Sequence, residues 1–340
     1  MAKTPPLDKT STEKELAADI SEDSEKQSVT SASNKDAESD AKEDSSSTKI
    51  IKSLLDKNWE VAEKTIREEV PRALEALLEK YDLPDYNPLL FLDQSNQVSE
   101  DHADQIYASL TKFEDPHNIL LILGSRGGRI EPAYLISKNC KAVAKDKFVT
   151  VIPRRAKSAA TLITLGADEI HMGSMSELGP IDPQFGNIPA LSLTNSLTTI
   201  ARLVSEHPGS SDMFAQYLRG QLDLGILGYF ERINESATQY ASRLLQGKKL
   251  GKDYSPETLA DHLVNHYKDH SFVIDKDEAL ELFGSDILKT GTQEYIFANE
   301  VDQELRWISR IAKIFHNKIV TFVGGFDSCI RFRDATDQDR

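Results

Sequence analysis

Cysteine is almost missing from this chain: Cys140 and Cys329 are the only two among 340 residues. Two cysteines make no disulfide framework, so a reducing, cytoplasmic home is expected. Long apolar runs are missing as well. The aliphatic run Ile119-Leu120-Leu121-Ile122-Leu123 is far short of the roughly 20 residues that a membrane span needs. No apolar stretch follows Met1, so no secretory leader is expected. Positive charge is in deficit, with 40 Lys and Arg against 55 Asp and Glu and a net charge of −15. That balance argues against a phosphate-neutralising surface and against nucleic acid as a partner. No Gly-x-x-x-x-Gly-Lys-Ser/Thr loop is present, so an ATPase working with this chain would be a separate protein.

Glycine and aromatics are absent from the start of the chain. Residues 1–48 hold ten Ser, six Lys and twelve Asp and Glu, and the first aromatic is Trp59. Such a segment cannot bury enough apolar surface to offset its ordering entropy and is read as a disordered acidic tail. A helical pattern follows from Ile50, with Ile51, Leu54, Leu55, Trp59, Ala62, Ile66 and Val70 at spacings of three and four. Ala73, Leu74, Leu77 and Leu78 continue the stripe past Pro71, which is expected to kink or restart the helix.

Beyond the Pro84–Pro88 break, strands and helices alternate. Leu89–Leu92, His117–Leu123 and Phe148–Ile152 read as buried strands. Helices are expected to open at Ser99-Glu100-Asp101, over Arg129–Val143 and over Ser158–Gly166. This rhythm predicts an α/β fold with a mainly parallel sheet covered by helices. Helices are also expected across about 192–250, from Ser255-Pro256-Glu257, and over Glu294–His316.

The first glycines are Gly124, Gly127 and Gly128, in Leu123-Gly124-Ser125-Arg126-Gly127-Gly128-Arg129. A double glycine between a buried strand and a helix permits a tight turn that bares backbone N–H groups. After the next strand, Lys157-Ser158-Ala159-Ala160-Thr161 places a serine at a helix start among small residues. Ser158 alone reads as a helix cap. Taken with the glycine turn it reads differently, because adjacent parallel strands bring their C-terminal ends to one crevice. The N–H groups of Gly128 and Ala159 could then face one oxyanion beside the Ser158 hydroxyl.

With those segments in view, residues from about 89 to 184 resemble the serine dehydrogenase proteinase family. That family is a branch of the Clp protease proteolytic subunit (ClpP) and crotonase-like superfamily, related to signal peptide peptidase A. The resemblance rests on Gly124-Ser125-Arg126-Gly127-Gly128, Lys157-Ser158-Ala159-Ala160-Thr161, Gly166–Gly173 and, most sharply, Leu178-Gly179-Pro180-Ile181-Asp182-Pro183-Gln184. A later stretch, Tyr267–His270 with Phe272–Asp275 and Glu278-Ala279, extends it to about residue 285. It implies a ClpP/crotonase-like spiral of β-β-α units, homo-oligomeric assembly, a peptide or protein substrate, and peptidase chemistry. Ser158 takes the nucleophile position, and Gly127, Gly128 and Ala159 take the oxyanion-hole region. Arg126 stands where these proteins usually have Pro, and Ala160 where Gly commonly follows the nucleophile by two.

The base is left open at this level. Asp182 falls at the usual base position and His270 near the usual acid position, so an exchanged triad of Ser158, His270 and Asp182 is one reading. A lysine base is another, with Lys157, Lys248 and Lys249 as candidates; the absence of a functional base is the third. His262, His266 and His270 recur at four-residue spacing, but no Cys or Glu pattern accompanies them, so neither metal nor cofactor is expected.

The expected organisation is a tail at 1–48, a helical extension at 49–84, a peptidase domain at 85–320 and a C-terminal tail at 321–340. The expected function is peptide-bond hydrolysis through an acyl-enzyme on Ser158, with a separate ATPase or membrane partner left open. The competing reading is a catalytically weak or inactive homologue serving as an oligomeric interaction protein; acyl-CoA chemistry on the same fold ranks third.

Overall fold

Why the central strands carry apolar residues at nearly every position is settled by what covers them. In the computed structural model, which describes residues 45–185, 188–221 and 224–337, both faces of the main sheet are buried. Along the strands, neighbouring residues point to opposite faces. Leu89, Phe91, Leu121 and Leu123 enter one apolar layer; Leu90, Leu120 and Ile122 enter the other. A strand buried on both sides therefore reads as a continuous hydrophobic run.

The elements, in chain order, begin with α1 (Ser46–Leu55), α2 (Trp59–Lys80), β1 (Tyr86–Asp93), α3 (Glu100–Leu110), β2 (Asn118–Ser125) and α4 (Ile130–Val143). They continue with β3 (Phe148–Ile152), β4 (Arg155–Ala156), α5 (Ala159–Thr164), β5 (Glu169–Met172), β6 (Glu177–Leu178), β7 (Gln184–Phe185) and β8 (Ile188–Pro189). Helices α6 (Ala190–Glu206), α7 (Ser211–Gln221), α8 (Leu224–Leu245), α9 (Pro256–Asp261) and α10 (Lys276–Phe283) follow. Last come β9 (Leu288–Lys289), α11 (Gln293–His316), β10 (Lys318–Gly325) and β11 (Ile330–Asp334). Among these helices none is long and apolar enough to cross a membrane.

The main sheet has the order β11-β10-β1-β2-β3-β5-β9. It is parallel from β1 through β9, and β10 and β11 join antiparallel at one edge. Short strands β4 and β6 form a second tier against the end of β2, through Ser125↔Ala156 and Ala156↔Leu178. Strands β3 and β4 followed by α5 make one β-β-α unit of the expected kind. The fold is α/β with a mostly parallel sheet, as the alternation of elements predicts.

The expected boundaries do not separate packing units. Ile50, Leu54, Ala62, Ile66, Val70 and Leu74 of α1 and α2 are buried in one layer with Leu90, Leu120 and α11. Residues 49–84 are thus part of the domain core rather than an extension from it. Residues 321–340 were expected as a tail, yet β10 continues through 321–325 with Phe322 and Val323 buried, and β11 pairs with it. Helix α1 begins within the segment read as tail, where Ser45 accepts a hydrogen bond from Thr48 N; positions 1–44 lie outside the described residues. Nor does α2 restart at Pro71. It runs unbroken from Trp59 to Lys80, since Ile66, Val70, Leu74 and Leu77 all bury along one stripe and their packing outweighs the lost backbone bond.

Phe322 is 2 % exposed, on a strand that the sequence reading placed outside the domain. Phe322→Ala should lower unfolding free energy by about 3–5 kcal/mol. The check is a fall in urea midpoint with an unchanged slope; a tail residue would leave the midpoint where it is.

Candidate active site

The site begins where β2 ends. Lys157 N donates to Ser125 O at 3.0 Å, which draws the segment after β4 alongside the glycine turn that leaves β2. The contact is as close as backbones allow. A methyl group built on Gly127 would lie 2.5 Å from Lys157 O, 2.7 Å from Ser158 Cβ and 3.0 Å from Ala159 N. Gly127 also holds φ at +97° and Gly128 at +155°, conformations that L side chains rarely adopt. Two glycines are needed here for both reasons.

Ser158 lies between β4 and α5 with φ 53° and ψ −120°, a sparsely populated region for a residue with a side chain. The surrounding bonds impose it: Ala160 N donates to Lys157 O at 2.9 Å and Leu162 N to Ser158 O at 3.1 Å. The Ser158 side chain makes no capping hydrogen bond to α5, so the ordinary helix-cap role does not account for it. Every residue of α5 is buried, and Ala159 and Ala160 leave no bulk beside the hydroxyl.

Gly128 is set by a neighbour the sequence did not point to. Val98 N donates to Gly127 O and Arg129 N donates to Val98 O, each at 2.9 Å, in a parallel bridge across Gly128. In that pattern the N–H of Gly128 itself points away from Val98. The Val98 loop is shaped by buried Asp93, whose carboxylate accepts from Ser95 N at 2.8 Å and from Asn96 N at 2.9 Å. Asn96 Nδ2 (2.7 Å) and His102 Nε2 (3.3 Å) donate to its other oxygen. Burial pushes the Asp93 carboxyl up, but these hydrogen bonds outweigh it and hold the group below its ordinary value.

Asp182 and His270 meet. His270 Nδ1–H donates to Asp182 Oδ1 at 2.5 Å; Asp182 is buried and His270 partly exposed. Asp182 sits in a turn tied down by Ile181 N, which donates to Leu263 O at 2.8 Å. The His270 segment is tied to the same region by paired backbone bonds between Leu178 and Ile274 at 2.9 and 3.1 Å. Asp269 Oδ1 accepts from Ser271 N and Ser271 Oγ, which fixes the turn that presents His270.

Ser158, His270, Gly127 and Gly128 line one cavity of about 930 Å³. Ser158 and His270 share it without a hydrogen bond between them among the described residues. Such contacts often tighten only when a substrate is present. Part of the opposite wall comes from α8, through Tyr229, Arg232, Ile233 and Ser236. No local signal marks these residues, because only folding brings α8 across from β2.

The lysines are not brought to Ser158. Lys157 Nζ donates to Leu178 O and Phe272 O, each at 3.0 Å, and lies 3.1 Å from Glu177 Oε2. Its three N–H donors are thus matched to three acceptors, and its role is to strap the Ser158, Asp182 and His270 segments together. Exposed Lys249 pairs with Asp286 at 2.7 Å. Half-buried Lys248 donates to Ala167 O, past the C-terminal end of α5, whereas Ser158 precedes its N-terminal end. The three histidines do not converge either: His262 and His266 stack at 4.2 Å in a π-turn, while His270 is held by Asp182.

Two expected outcomes test this arrangement. Gly127→Ala should cost roughly 1–3 kcal/mol by thermal unfolding, because the turn must shift or strain. Gly209→Ala, whose added methyl meets nothing within 4 Å, is the near-neutral control. Burial, aided by the like charge of Lys141 and opposed by Asp168, pushes Lys248 down to about 8 from 10.5. Between those values the unfolded chain holds the extra proton, so this group makes stability rise with pH by about 1.4 kcal/mol per unit. Lys248→Met should remove that rise; an unaltered slope in urea unfolding across this range would contradict the burial.

Comparison with known proteins gives partial matches. Residues 96–203, which include the glycine turn, Ser158 and Asp182, match the family of ClpP-like SDH-type serine proteinases. An uncharacterized protein of Methanocaldococcus jannaschii is 33% identical over 100 residues, 29% of this chain and 35% of that protein. A second from the same organism is 30% identical over 109 residues, 32% of this chain and 37% of its own. The chain therefore spans about a third of the length of these relatives. Among solved structures, a variant of the 1510-N membrane-bound stomatin-specific protease aligns at a TM-score of 0.37 and 16% identity, covering 60% of this chain and 78% of that one. Another variant, in complex with a substrate peptide, aligns at 0.38 and 16%, covering 60% and 74%. Over residues 96–203, about a third of its length, the chain is similar to the ClpP-like SDH-type serine proteinases.

Proposed function

We propose that this protein is a serine peptidase in which Ser158 is the nucleophile, His270 the general base and Asp182 the residue that orients it. The observation that carries the reading is the hydrogen bond from His270 Nδ1 to Asp182, made at the wall of the cavity that Ser158 also lines. With its proton committed to Nδ1, the imidazole keeps the Nε2 lone pair free for the Ser158 hydroxyl.

Peptide hydrolysis then runs in two halves. Ser158 Oγ attacks the scissile carbonyl carbon as His270 Nε2 takes its proton, and the carbonyl oxygen becomes negative. The N–H groups of Gly128 and Ala159 are the donors for that oxyanion; the reading is supported by the close approach of the Gly127 turn to residues 157–159, which leaves no room for a side chain, and by the Val98 bridge. Collapse breaks the C–N bond, and Nε2 returns the proton to the leaving amine. Water, activated by the same imidazole, hydrolyses the ester and regenerates Ser158. Asp182 stabilises the imidazolium of both halves. The strained turn at Ser158 fits this role, since a side chain held clear of α5 is available for attack.

Ser158→Ala should keep the fold by circular dichroism and lose labelling by a serine-directed fluorophosphonate. His270→Ala should lower the labelling rate by about 10²–10⁴-fold. Equal labelling of wild type and Ser158→Ala would overturn the assignment of Ser158, and absence of labelling from both would favour an interaction protein on a peptidase fold.

A further inference from the structure

The cavity's charge runs against that of the whole chain. The protein carries −15, yet among the side chains lining the cavity Arg126, Arg129 and Arg232 face only Glu131, or 3 − 1 = +2 with His270 neutral. Arg129 is already engaged, by Glu100 and by Glu131 at 3.7 Å. Arg126 and Arg232 make no ion pair among the described residues. Arg126 directly precedes the glycine that touches the Ser158 turn, and Arg232 reaches in from α8 on another wall. Two guanidinium groups with no ion pair among the described residues therefore line the cavity that Ser158 also lines. In an acidic protein, where non-specific attraction of anions is weak, this local reversal of sign is selective.

From this juxtaposition we infer that the site takes peptides bearing a carboxylate close to the scissile bond, held by Arg126 and Arg232. The inference rests on the peptidase reading above and names the substrate class for the same site. A guanidinium presents a planar fork of donors that matches a carboxylate in bidentate fashion, which neutral Gln or Asn side chains cannot do. Both arginines are exposed, so the attraction is screened by salt. The carboxylate can be that of an Asp or Glu side chain or the α-carboxylate of a peptide's C-terminus; the chemistry of recognition is shared.

The test separates binding from turnover. Ser158→Ala protein is titrated with fluorescent peptides differing only as Glu or Gln beside the central bond, each with a free or amidated C-terminus. The carboxylate-bearing peptides should bind about tenfold tighter, as expected for charge-assisted hydrogen bonds. The preference should shrink with added salt, and the ratio should fall toward one with Arg232→Gln on the Ser158→Ala background. Arg126→Gln should act in the same direction, while Arg232→Gln keeps the test independent of any disturbance to the glycine turn. A preference that follows Glu over Gln identifies the side-chain carboxylate; one that follows the free C-terminus identifies the α-carboxylate. Equal affinity for all four peptides, or a preference untouched by Arg232→Gln, overturns the inference. Wild-type cleavage of the same peptides is read separately: cleavage with equal binding sinks the substrate class alone, and selective binding without cleavage or labelling sinks the peptidase reading alone.

Discussion

Everything at this site depends on how closely two backbones approach. Where β2 ends, Gly127 packs against the backbone of Lys157–Ala159 at distances that leave no room for a side-chain carbon. Beside that contact Ser158 occupies a strained conformation, with φ 53° and ψ −120°. Strain of this kind, on the order of 1–3 kcal/mol, persists only where the surroundings over-determine it. Here they do: β2–β4 pairing, the Val98 bridge and the first turn of α5 all act on the same few residues.

Holding the rest of the constellation is a matter of stitching together segments that are distant in sequence. Lys157, next to Ser158, donates to the carbonyls of Leu178 and Phe272, so one ammonium group spans the nucleophile turn, the Asp182 loop and the His270 loop. Thr161 adds a second stitch, with Oγ1 2.8 Å from both Ala156 O and Gly179 O. Hydrogen bonds that involve a charged group contribute about 1.5–3 kcal/mol each, and more is lost when one buried partner is removed. Lys157, a candidate base by its position beside the serine, thus has a structural task, with its ammonium group held by the Leu178 and Phe272 carbonyls.

Much of the framework was legible in the sequence because it is written in local periodicity. Leu89–Leu92, Ile119–Leu123 and Phe148–Ile152 are apolar at successive positions since both faces of their sheet are covered. Parallel neighbours then had to bring Gly127 and Ser158 to one end of the sheet, and they do. The C-terminal strands were not legible in the same way: β10 runs antiparallel to β1, and nothing near Phe322 announces that Leu92 will be its partner. Likewise, Val98, the Asp93–His102 pair and Arg232 carry no motif, because their importance comes from what they touch.

By itself the sequence determined the α/β class, the paired strand-to-helix turns and the serine with its glycines, for these follow from periodicity and from conformations only certain residues adopt. Which of the candidate groups lie against one another was decided by the tertiary structure alone. The sequence offered Asp182 with His270, one of three lysines, or no base, and the fold places His270 and Asp182 together while Lys157 and Lys248 donate to carbonyl oxygens elsewhere. Long-range pairing of this sort leaves no local pattern, since neither partner's neighbours in the chain depend on it.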